Sequence, residues 1–309
     1  MPIFLKEQDV VGLADMPSVV AALREAFAAQ ARGAATNVPR SRADVLDRRL
    51  NLMAGADRGA NRYAIKAYGG SAYHVLLYSA KDGLLAVMEA GALGAIRTGA
   101  ASAVATEKMA QPNAGKVGLI GAGRQARTQA LALKAIGKLN DLSVFARDRA
   151  NLDAFCAGIG DELKIPVRAA RTADEAVTGA DIVVTATGSA TPVLMHAWLT
   201  PGAHVNAMGA NAANRRELDP EIVLRASLIV TDDVEQAKIE AGEFIDLAKA
   251  GRFDWGRVKA LHEIMAGAAG KRDKGAITLF KSLGVGLEDL AIASLLYDRA
   301  AKSGRFKAL

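Results

Sequence analysis

Near the middle of this 309-residue chain, an apolar strand candidate, Lys116–Ile120, runs directly into a glycine-rich turn and a strongly helical segment. The turn reads Gly121-Ala122-Gly123-Arg124-Gln125-Ala126. In such a setting the first glycine allows a tight turn and the second lets the backbone approach a pyrophosphate, while Ala126 is small enough for the helix to lie on the strand. The helix amino terminus adds N–H donors for phosphate. The pattern predicts the first strand, turn and helix of a dinucleotide-binding domain.

Downstream of this turn, short apolar runs alternate with helical segments. Such alternation favours a parallel sheet whose strands are joined by right-handed helical crossovers. The sequence therefore predicts an α/β fold with a Rossmann-type, doubly wound domain at 113–285. Its further strands are expected at Leu142–Ala146, Val167–Ala170, Asp181–Ala186, Ala203–Met208 and Ser227–Thr231, and its further helices at Asn151–Ile159 and Ala173–Thr178.

The N-terminal part has a different pattern. A helix is predicted at Ser18–Ala31, with Asp15 as its cap, Pro17 in its first turn and Gly33 as its stop. The turn Lys81-Asp82-Gly83, between two apolar runs, predicts a hairpin. Further elements are expected as strands at Leu50–Met53, Tyr63–Ala67, His74–Ser79 and Leu84–Met88, and as a helix at Gly99–Met109.

The last helix candidate, Leu287–Ala301, follows a glycine-rich bend and is expected to pack back on the N-terminal part. We therefore predict an N-terminal α+β domain at 1–112 that is completed by residues 286–309. The dinucleotide-binding domain lies between these two segments.

Composition excludes several classes of protein. With 51% hydrophobic and 23% charged residues, the chain is an ordinary core-forming sequence rather than a disordered or coiled-coil one. No apolar run approaches the roughly 18 residues of a membrane span, and the first residues lack the apolar stretch of a signal peptide. The single cysteine, Cys156, excludes an internal disulfide and fits a reducing, cytoplasmic location.

Charge and histidine spacing exclude two kinds of site. The net charge of +6 does not indicate nucleic-acid binding, because Lys and Arg are dispersed among 33 acidic residues without a basic helix. A mildly basic surface instead suits small anions. His196, His204 and His262 lack the spacing of metal ligands, so no metal site is predicted.

The end of the second strand of the dinucleotide-binding domain bears on the choice of cofactor. A carboxylate at that point binds the ribose 2′-hydroxyl of NAD, whereas an arginine accommodates the 2′-phosphate of NADP. The residue expected to face the ribose is Ala146, which is followed by Arg147 and Arg149. NADP(H) is therefore favoured, with NAD(H) as the alternative if Asp148 occupies the ribose position.

Three further segments accompany the glycine turn: Arg97-Thr98-Gly99-Ala100-Ala101-Ser102-Ala103, Glu217-Leu218-Asp219 and Thr278-Leu279-Phe280-Lys281-Ser282-Leu283-Gly284. Together and in this order, they resemble the ornithine cyclodeaminase/mu-crystallin family over nearly the whole chain. The resemblance implies a homodimer built through the N-terminal domain and an active site between that domain and the dinucleotide fold. It also implies chemistry at the Cα of an amino or imino acid: cyclodeamination, alanine dehydrogenation or ketimine reduction.

The resemblance assigns three cations to a substrate carboxylate: Arg40, Lys66 near the reacting carbon, and Arg97, which also lies near the cofactor. The planar fork of arginine suits a carboxylate. Lys66 lies between apolar strand residues, where it can exchange a proton near neutral pH. Lys66, Arg97 and Asn211 are the predicted catalytic residues. The predicted cofactor-binding residues are His74, Arg97, Gly121, Gly123, Arg124, Gln125, Arg147, Thr187, Met208, Gly209 and Ser282.

One departure from the family pattern bears on the reaction. The cyclodeaminases resemble one another in placing an aspartate after the glycine of the strand end that here reads Met208-Gly209, and this chain has Asn211 in that place. An amide orients a substrate but cannot act as a base. The chain is therefore expected to deliver hydride from NAD(P)H to a small cyclic imino acid such as pyrroline- or piperideine-2-carboxylate. An ornithine cyclodeaminase, an alanine-dehydrogenase-like enzyme and a non-catalytic cofactor-binding protein are the alternatives.

Overall fold

A computed structural model describes residues 1–46, 48–268, 273, 275–304 and 306–309. The chain divides into two compact units, called here unit 1 (1–101 and 284–309) and unit 2 (102–283). The first division, at 101/102, falls inside the helix Gly91–Met109, whereas we predicted it at 112/113. A boundary inside a continuous helix leaves no turn or linker in the sequence to mark it.

The elements are labelled in chain order. The strands are β1 Ile3–Leu5, β2 Ala35–Val45, β3 Arg48–Asp57, β4 Arg62–Gly69, β5 Ala72–Ser79, β6 Gly83–Glu89, β7 Lys116–Ile120, β8 Asp141–Phe145, β9 Val167–Ala169, β10 Ile182–Thr185, β11 His204–Ala207, β12 Leu228–Thr231, β13 Val258–Ala260, β14 Thr278–Lys281 and β15 Lys307–Ala308. The α-helices are α1 Glu7–Leu13, α2 Met16–Ala31, α3 Gly91–Met109, α4 Arg124–Ala135, α5 Arg149–Leu163, α6 Ala173–Val177, α7 Pro220–Arg225, α8 Val234–Glu240, α9 Gly242–Lys249, α10 Leu261–Met265 and α11 Gly286–Ser303.

Unit 1 contains a mainly antiparallel sheet with the strand order β15-β1-β6-β5-β4-β3-β2. The predicted hairpin is confirmed, since β5 and β6 pair antiparallel and Gly83 at their turn has a φ of 76°. The last helix, α11, packs across β2, β3, β4 and β5 of this unit. The helix α2 begins at Met16, and the Asp15 carboxylate accepts a hydrogen bond from the Ser18 N–H at 3.0 Å, as its predicted cap should.

In unit 1 the strand β2 and the first turns of α3 were not predicted, and local features explain both; the short elements β1, α1 and β15 were not predicted either. The strand β2 contains Pro39, which has no N–H to donate to a neighbouring strand. The proline is tolerated because β2 is an edge strand of the sheet. Its pairing with β3 also shifts register between Val38 and Ser41, around the proline. The helix α3 begins well before Gly99, because Gly91 and Gly94 weaken the helical pattern at its start.

The sheet of unit 1 has one covered and one open face. On the covered face α11 approaches the sheet closely: a Cβ on Gly286 would lie 2.5 Å from the backbone nitrogen of Ala54. Side chains alternate between the faces along each strand. The open face therefore presents the side chains that α11 does not cover, and four of its apolar residues are 38% to 40% exposed: Leu50, Leu52, Tyr63 and Ile65.

Unit 2 contains a parallel sheet with the strand order β13-β12-β14-β11-β10-β7-β8-β9. The strand β7 lies between β8 and β10, so the chain winds outward from β7 in both directions, which confirms the predicted Rossmann-type fold. The predicted strands match β7 to β12 within one residue at each end. Between Thr231 and Leu287 the elements are too short for periodicity to reveal, as the three-residue β13 and five-residue α10 illustrate.

Within the described ranges, no helix is long and apolar enough to cross a membrane.

Candidate active site

The predicted glycine turn of unit 2 has the backbone that its sequence requires. Gly121 has a φ of 119°, which favours glycine, and a Cβ at this position would overlap the carbonyl oxygen of Ala186. Gly123 is the N-cap of α4, with no side-chain cap, and a Cβ there would meet no atom within 4 Å. Ala126, in the first turn of α4, is fully buried. The turn thus leaves open space and uncapped N–H donors where a phosphate is expected.

A cavity of about 730 Å³ opens beside this turn. Its position at the carboxyl ends of β7 and β8 is where doubly wound folds bind ligands. Asp148 contributes to its lining, but its carboxylate accepts a hydrogen bond from the Asn151 N–H at 2.9 Å and so caps α5. The cavity is lined by Ile120, Gly121, Ala122, Phe145, Ala146, Arg147, Asp148, Asn151, Ala186, Thr187, Ser189, Thr191 and Val193.

A second cavity of unit 2, of about 350 Å³, lies along the amino end of α4 and the carboxyl ends of β10 and β11. It brings together most of the predicted cofactor residues of this unit and also Asn211. Its lining consists of Gly123, Arg124, Gln125, Ala186, Thr187, Gly188, Met208, Gly209 and Asn211. We expect an extended dinucleotide to occupy both cavities, with its adenosine half in the larger one.

In unit 1 the three predicted substrate cations come together. Arg40, Lys66 and Arg97 are only 4% to 7% exposed, and they surround the start of α11. Lys66 Nζ donates to Asp289 Oδ1 at 2.9 Å, and Arg97 Nη1 donates to Glu288 Oε2 at 2.8 Å. Arg97 Nε lies 3.4 Å from Asp289 Oδ1. Arg40 Nη2 donates to the carbonyl oxygen of Gly284 at 2.9 Å, just before the helix.

The two carboxylates of this cluster, Glu288 and Asp289, are missing from the sequence prediction. Both are at most 1% exposed, and buried carboxylates are rare unless they are paired with cations. Two adjacent acids on the apolar side of a helix otherwise rich in leucine and alanine would have been a usable signal. The cluster supplies several cationic donors in a dry setting, which is the chemistry that binds a carboxylate.

The surroundings of Lys66 change its proton affinity. Burial lowers the pKa of the Lys66 ammonium below its ordinary value, and the nearby charges of Arg97 and Arg40 lower it further. The carboxylate of Asp289 acts in the opposite direction and raises this pKa. Lys66 is therefore closer to neutral-pH proton exchange than an exposed lysine, and Asp289 limits the shift.

Two predicted cofactor residues lie apart from these groups. His74 pairs with Ala67 across β4 and β5, while Lys66 pairs with Val75, so His74 is on the open face and Lys66 on the covered face. Ser282, after β14, is buried and its hydroxyl donates to Asp232 Oδ2 at 3.4 Å. Neither position joins the linings of the two cavities, and their cofactor roles stay predictions.

His, Cys, Asp and Glu side chains form no group of three that could hold a metal ion in the part of the chain that the structure describes.

The parallel sheet, the glycine turn and the cavities beside it define a Rossmann-type dinucleotide-binding protein. The family model of the ornithine cyclodeaminase/mu-crystallin family matches residues 1–304. The chain therefore belongs to the ornithine cyclodeaminase/mu-crystallin family, as its four sequence motifs predict.

The chain is similar to reductases and to a dehydrogenase. The ketimine reductase mu-crystallin of Mus musculus is 36% identical over 225 residues, which cover 72% of this chain and 68% of that protein. The structure of the Thermococcus litoralis Delta(1)-pyrroline-2-carboxylate reductase, in complex with NADH and L-proline, aligns with a TM-score of 0.95 at 31% identity, covering 99% of this chain and 100% of the other. An archaeal alanine dehydrogenase dimer with bound NAD aligns with a TM-score of 0.92 at 28% identity, covering 100% and 98%.

Proposed function

We propose that this chain is an NAD(P)H-dependent imine reductase that reduces the C=N bond of a small cyclic imino acid such as pyrroline- or piperideine-2-carboxylate. The observation that carries the proposal is the buried cluster of Arg40, Lys66 and Arg97 in a chain that also has a dinucleotide-binding fold. The similarity to a pyrroline-2-carboxylate reductase that binds NADH and L-proline supports the same substrate class. Unit 1 would hold the substrate and unit 2 the cofactor.

Each cation has a separate task in this proposal. Arg40 and Arg97 bind the substrate carboxylate, because their guanidinium groups present paired N–H donors. Lys66 holds a proton at the imine nitrogen, since a protonated nitrogen makes the adjacent carbon a better hydride acceptor. The reduced nicotinamide supplies the hydride when it is bound. The hydride adds to carbon, the proton remains on nitrogen, and the product is the corresponding cyclic amino acid.

The side chain at 211 favours reduction over cyclodeamination. Asn211 lines the smaller cavity, where the resemblance places the aspartate of a cyclodeaminase. An amide cannot take a proton from an attacking amine at neutral pH. Reduction of a preformed C=N bond needs no base at that position.

The test is an assay of the purified chain against pyrroline-2-carboxylate, piperideine-2-carboxylate, pyruvate with ammonia, and ornithine. We expect NADPH absorbance to fall with the cyclic imines and no ammonia to be released from ornithine. The variant Lys66→Met should lose turnover and keep its NADPH affinity, because it removes the proton and leaves unit 2 intact. Ammonia and proline formed from ornithine, or an unchanged rate in Lys66→Met, would contradict the proposal.

For the cofactor we infer a preference for NADP(H) over NAD(H). Arg147 is exposed and lines the larger cavity, while the Asp148 carboxylate is engaged in capping α5. The guanidinium of Arg147 is thus available near the expected ribose, and the acid that would select NAD is otherwise occupied. The variant Arg147→Ala should raise the Kd for NADPH about tenfold, the loss of one charged contact, and leave the Kd for NADH nearly unchanged. Equal losses for both cofactors would contradict the inference.

We also infer that the chain forms a homodimer through the open face of the unit 1 sheet. A row of apolar side chains crosses this face, one from each of five neighbouring strands: Val38, Ala54, Ile65, Leu76 and Val87. Val38 is 51% exposed and Ile65 is 38% exposed. A contiguous apolar patch of this kind marks an interaction surface, and the similar archaeal alanine dehydrogenase is a dimer.

A further inference from the structure

Glu217 is a buried carboxylate of unit 2 to which the proposed reaction gives no role. It is 0% exposed, and its two oxygens accept four hydrogen bonds. Oε1 accepts from the N–H and the hydroxyl of Thr187, both at 2.7 Å. Oε2 accepts from the Thr185 hydroxyl at 3.0 Å and from the Gly209 N–H at 2.7 Å. Since a carboxylate has about four acceptor sites, the whole group is used to hold these donors.

The donors belong to two neighbouring strand ends. Strands β10 and β11 pair in parallel up to Thr185 and Ala207, and the chain beyond each strand leads into the cavities. Thr187 and Gly209 both line the smaller cavity, and Thr187 also lines the larger one. The Thr187 hydroxyl in turn accepts a hydrogen bond from the Ser189 N–H at 3.2 Å. Glu217 therefore links the two loops where the pairing of their strands has ended.

The Glu217 carboxylate is closely packed, and its backbone is held in place by a further hydrogen bond. A Cβ on Gly209 would lie 2.5 Å from Glu217 Oε1, so a side chain there would displace the carboxylate. The backbone N–H of Glu217 donates to Glu243 Oε1 at 3.0 Å, and Lys281 Nζ donates to the same oxygen at 3.0 Å. The side chains of Lys281 and Glu243 are fully buried, so a buried ion pair holds the backbone of Glu217.

We propose that Glu217 is a positioning residue for the nicotinamide half of the dinucleotide. Its carboxylate fixes Thr187 and Gly209, so that the smaller cavity is already formed before the cofactor binds. Preformed contacts raise affinity because fewer groups must be ordered on binding. This inference rests on the proposed cofactor placement, with the adenosine half in the larger cavity. It predicts that Glu217 contributes strongly to the affinity for the whole dinucleotide and much less to the affinity for its adenosine half alone.

The experiment compares two ligands, NADPH and 2′,5′-ADP, which lacks the nicotinamide half, on the full chain. In Glu217→Gln one carboxylate oxygen is replaced by an NH₂ donor, which faces either the Thr187 N–H or the Gly209 N–H and cannot accept from it. We expect the Kd for NADPH, measured calorimetrically, to rise about tenfold or more. The Kd for 2′,5′-ADP should stay within about twofold of the wild-type value.

The matched control is Asp181→Ala at the opposite ends of the strands of the same sheet. Asp181 Oδ2 accepts from the backbone N–H groups of Gly115 and Lys116 at 3.0 Å each, so this variant removes two contacts of the same kind just before β10, away from the strand ends that form the cavities. Both affinities should be unchanged in Asp181→Ala. If thermal unfolding shows that Glu217→Gln is not folded, Glu217→Asp carries the test, because its shorter side chain keeps the charge and cannot reach both loops at once.

Wild-type NADPH affinity in a folded Glu217 variant overturns this proposal. An equal loss of affinity for NADPH and 2′,5′-ADP overturns it as well, since that result means general loosening of unit 2. A wild-type chain that binds NADPH but reduces no imine contradicts the proposed reaction and leaves the role of Glu217 standing. A wild-type chain that binds neither NADPH nor NADH overturns both.

Discussion

At the scale of single residues, unit 1 holds a buried cluster of opposite charges around Lys66. Three cations and two carboxylates are buried there, and removing one partner from such a cluster leaves an uncompensated charge. Gly94 supplies the space that Lys66 needs, because a Cβ at that position would lie 2.9 Å from Lys66 Nζ. The charged groups that face Lys66 are Asp289 of α11, Arg97 of α3 and Arg40 of β2.

The variant Asp289→Asn should move the alkaline limb of imine reduction to lower pH. Burial already lowers the pKa of Lys66, and Asp289 opposes that shift, so removing its charge lets the pKa fall further. In the proposed reaction Lys66 holds a proton at the imine nitrogen, and this proton is then lost at a lower pH. The measurement is kcat/KM for a cyclic imine across the pH range.

Asp298→Asn on the same helix is the control for this shift. Asp298 pairs with Arg62 at 2.6 Å and is half exposed, so its loss should leave the pH profile unchanged. A profile of Asp289→Asn that coincides with the wild-type profile would show that Lys66 does not supply the titrating proton.

Asn211→Asp should introduce some release of ammonia from ornithine. The new carboxylate would line the smaller cavity and can accept a proton from an attacking amine, which the amide cannot do. Ammonia and proline would be measured with NAD present in catalytic amounts. Asn214→Asp is the matched control, because it adds the same charge at an exposed position nearby. If Asn211→Asp releases no more ammonia than Asn214→Asp, residue 211 does not select the reaction.

Some residues of the candidate site could be predicted from the sequence, and others could not. Arg97 opens one of the family motifs, the resemblance assigns Arg40 and Lys66 beside it, and the three cations do come together in unit 1. Their partners were not predictable from spacing, because Asp289 is 223 residues from Lys66 and Glu288 is 191 residues from Arg97. Pairing over such separations depends on the path of the whole chain.

At the scale of elements, the two units differ in how well their patterns predict structure. The strands of unit 2 are short apolar runs buried on both faces, so each run ends where burial ends. The strands of unit 1 extend beyond their apolar centres into exposed residues: β3 begins at Arg48, although the pattern starts at Leu50. A half-exposed strand continues through residues that carry no hydrophobic signal.

The close crossing of α11 over β3 makes a prediction about stability. Gly286→Ala places a Cβ against the Ala54 backbone and should lower the free energy of unfolding by about 1–3 kcal/mol, as overpacking does. Because α11 carries Glu288 and Asp289, the same variant should also weaken carboxylate binding. Chemical denaturation measures the first effect, and the KM for the imine measures the second.

Gly158→Ala in α5 is the control for this loss. It lies in open space on a helix, so alanine should raise the free energy of unfolding by about 0.5–1 kcal/mol. A gain of stability in Gly286→Ala as well would show that the helix and sheet are not in contact there.

At the scale of the whole molecule, the open sheet face should determine the oligomeric state. Ile65→Glu places a charge in the middle of the apolar row and should convert a dimer into a monomer, because an unpaired charge is costly in an interface. Light scattering coupled to size-exclusion chromatography measures the mass. Val11→Glu is the control: Val11 is 58% exposed on α1, which lies outside the open face, and this variant should stay dimeric. A dimer in Ile65→Glu would contradict the proposed interface.

The completion of unit 1 by α11 has a consequence for the order in which the chain is made. On the ribosome, residues 1–101 emerge first, with Arg40, Lys66 and Arg97 already synthesised. Glu288 and Asp289, which neutralise two of these cations, leave the exit tunnel only after the whole of unit 2. Unit 1 therefore cannot become native before unit 2 has been synthesised, whereas unit 2 is a continuous segment that can fold on the nascent chain. Of the two units, unit 1, which we propose to hold the substrate, is the later to become native.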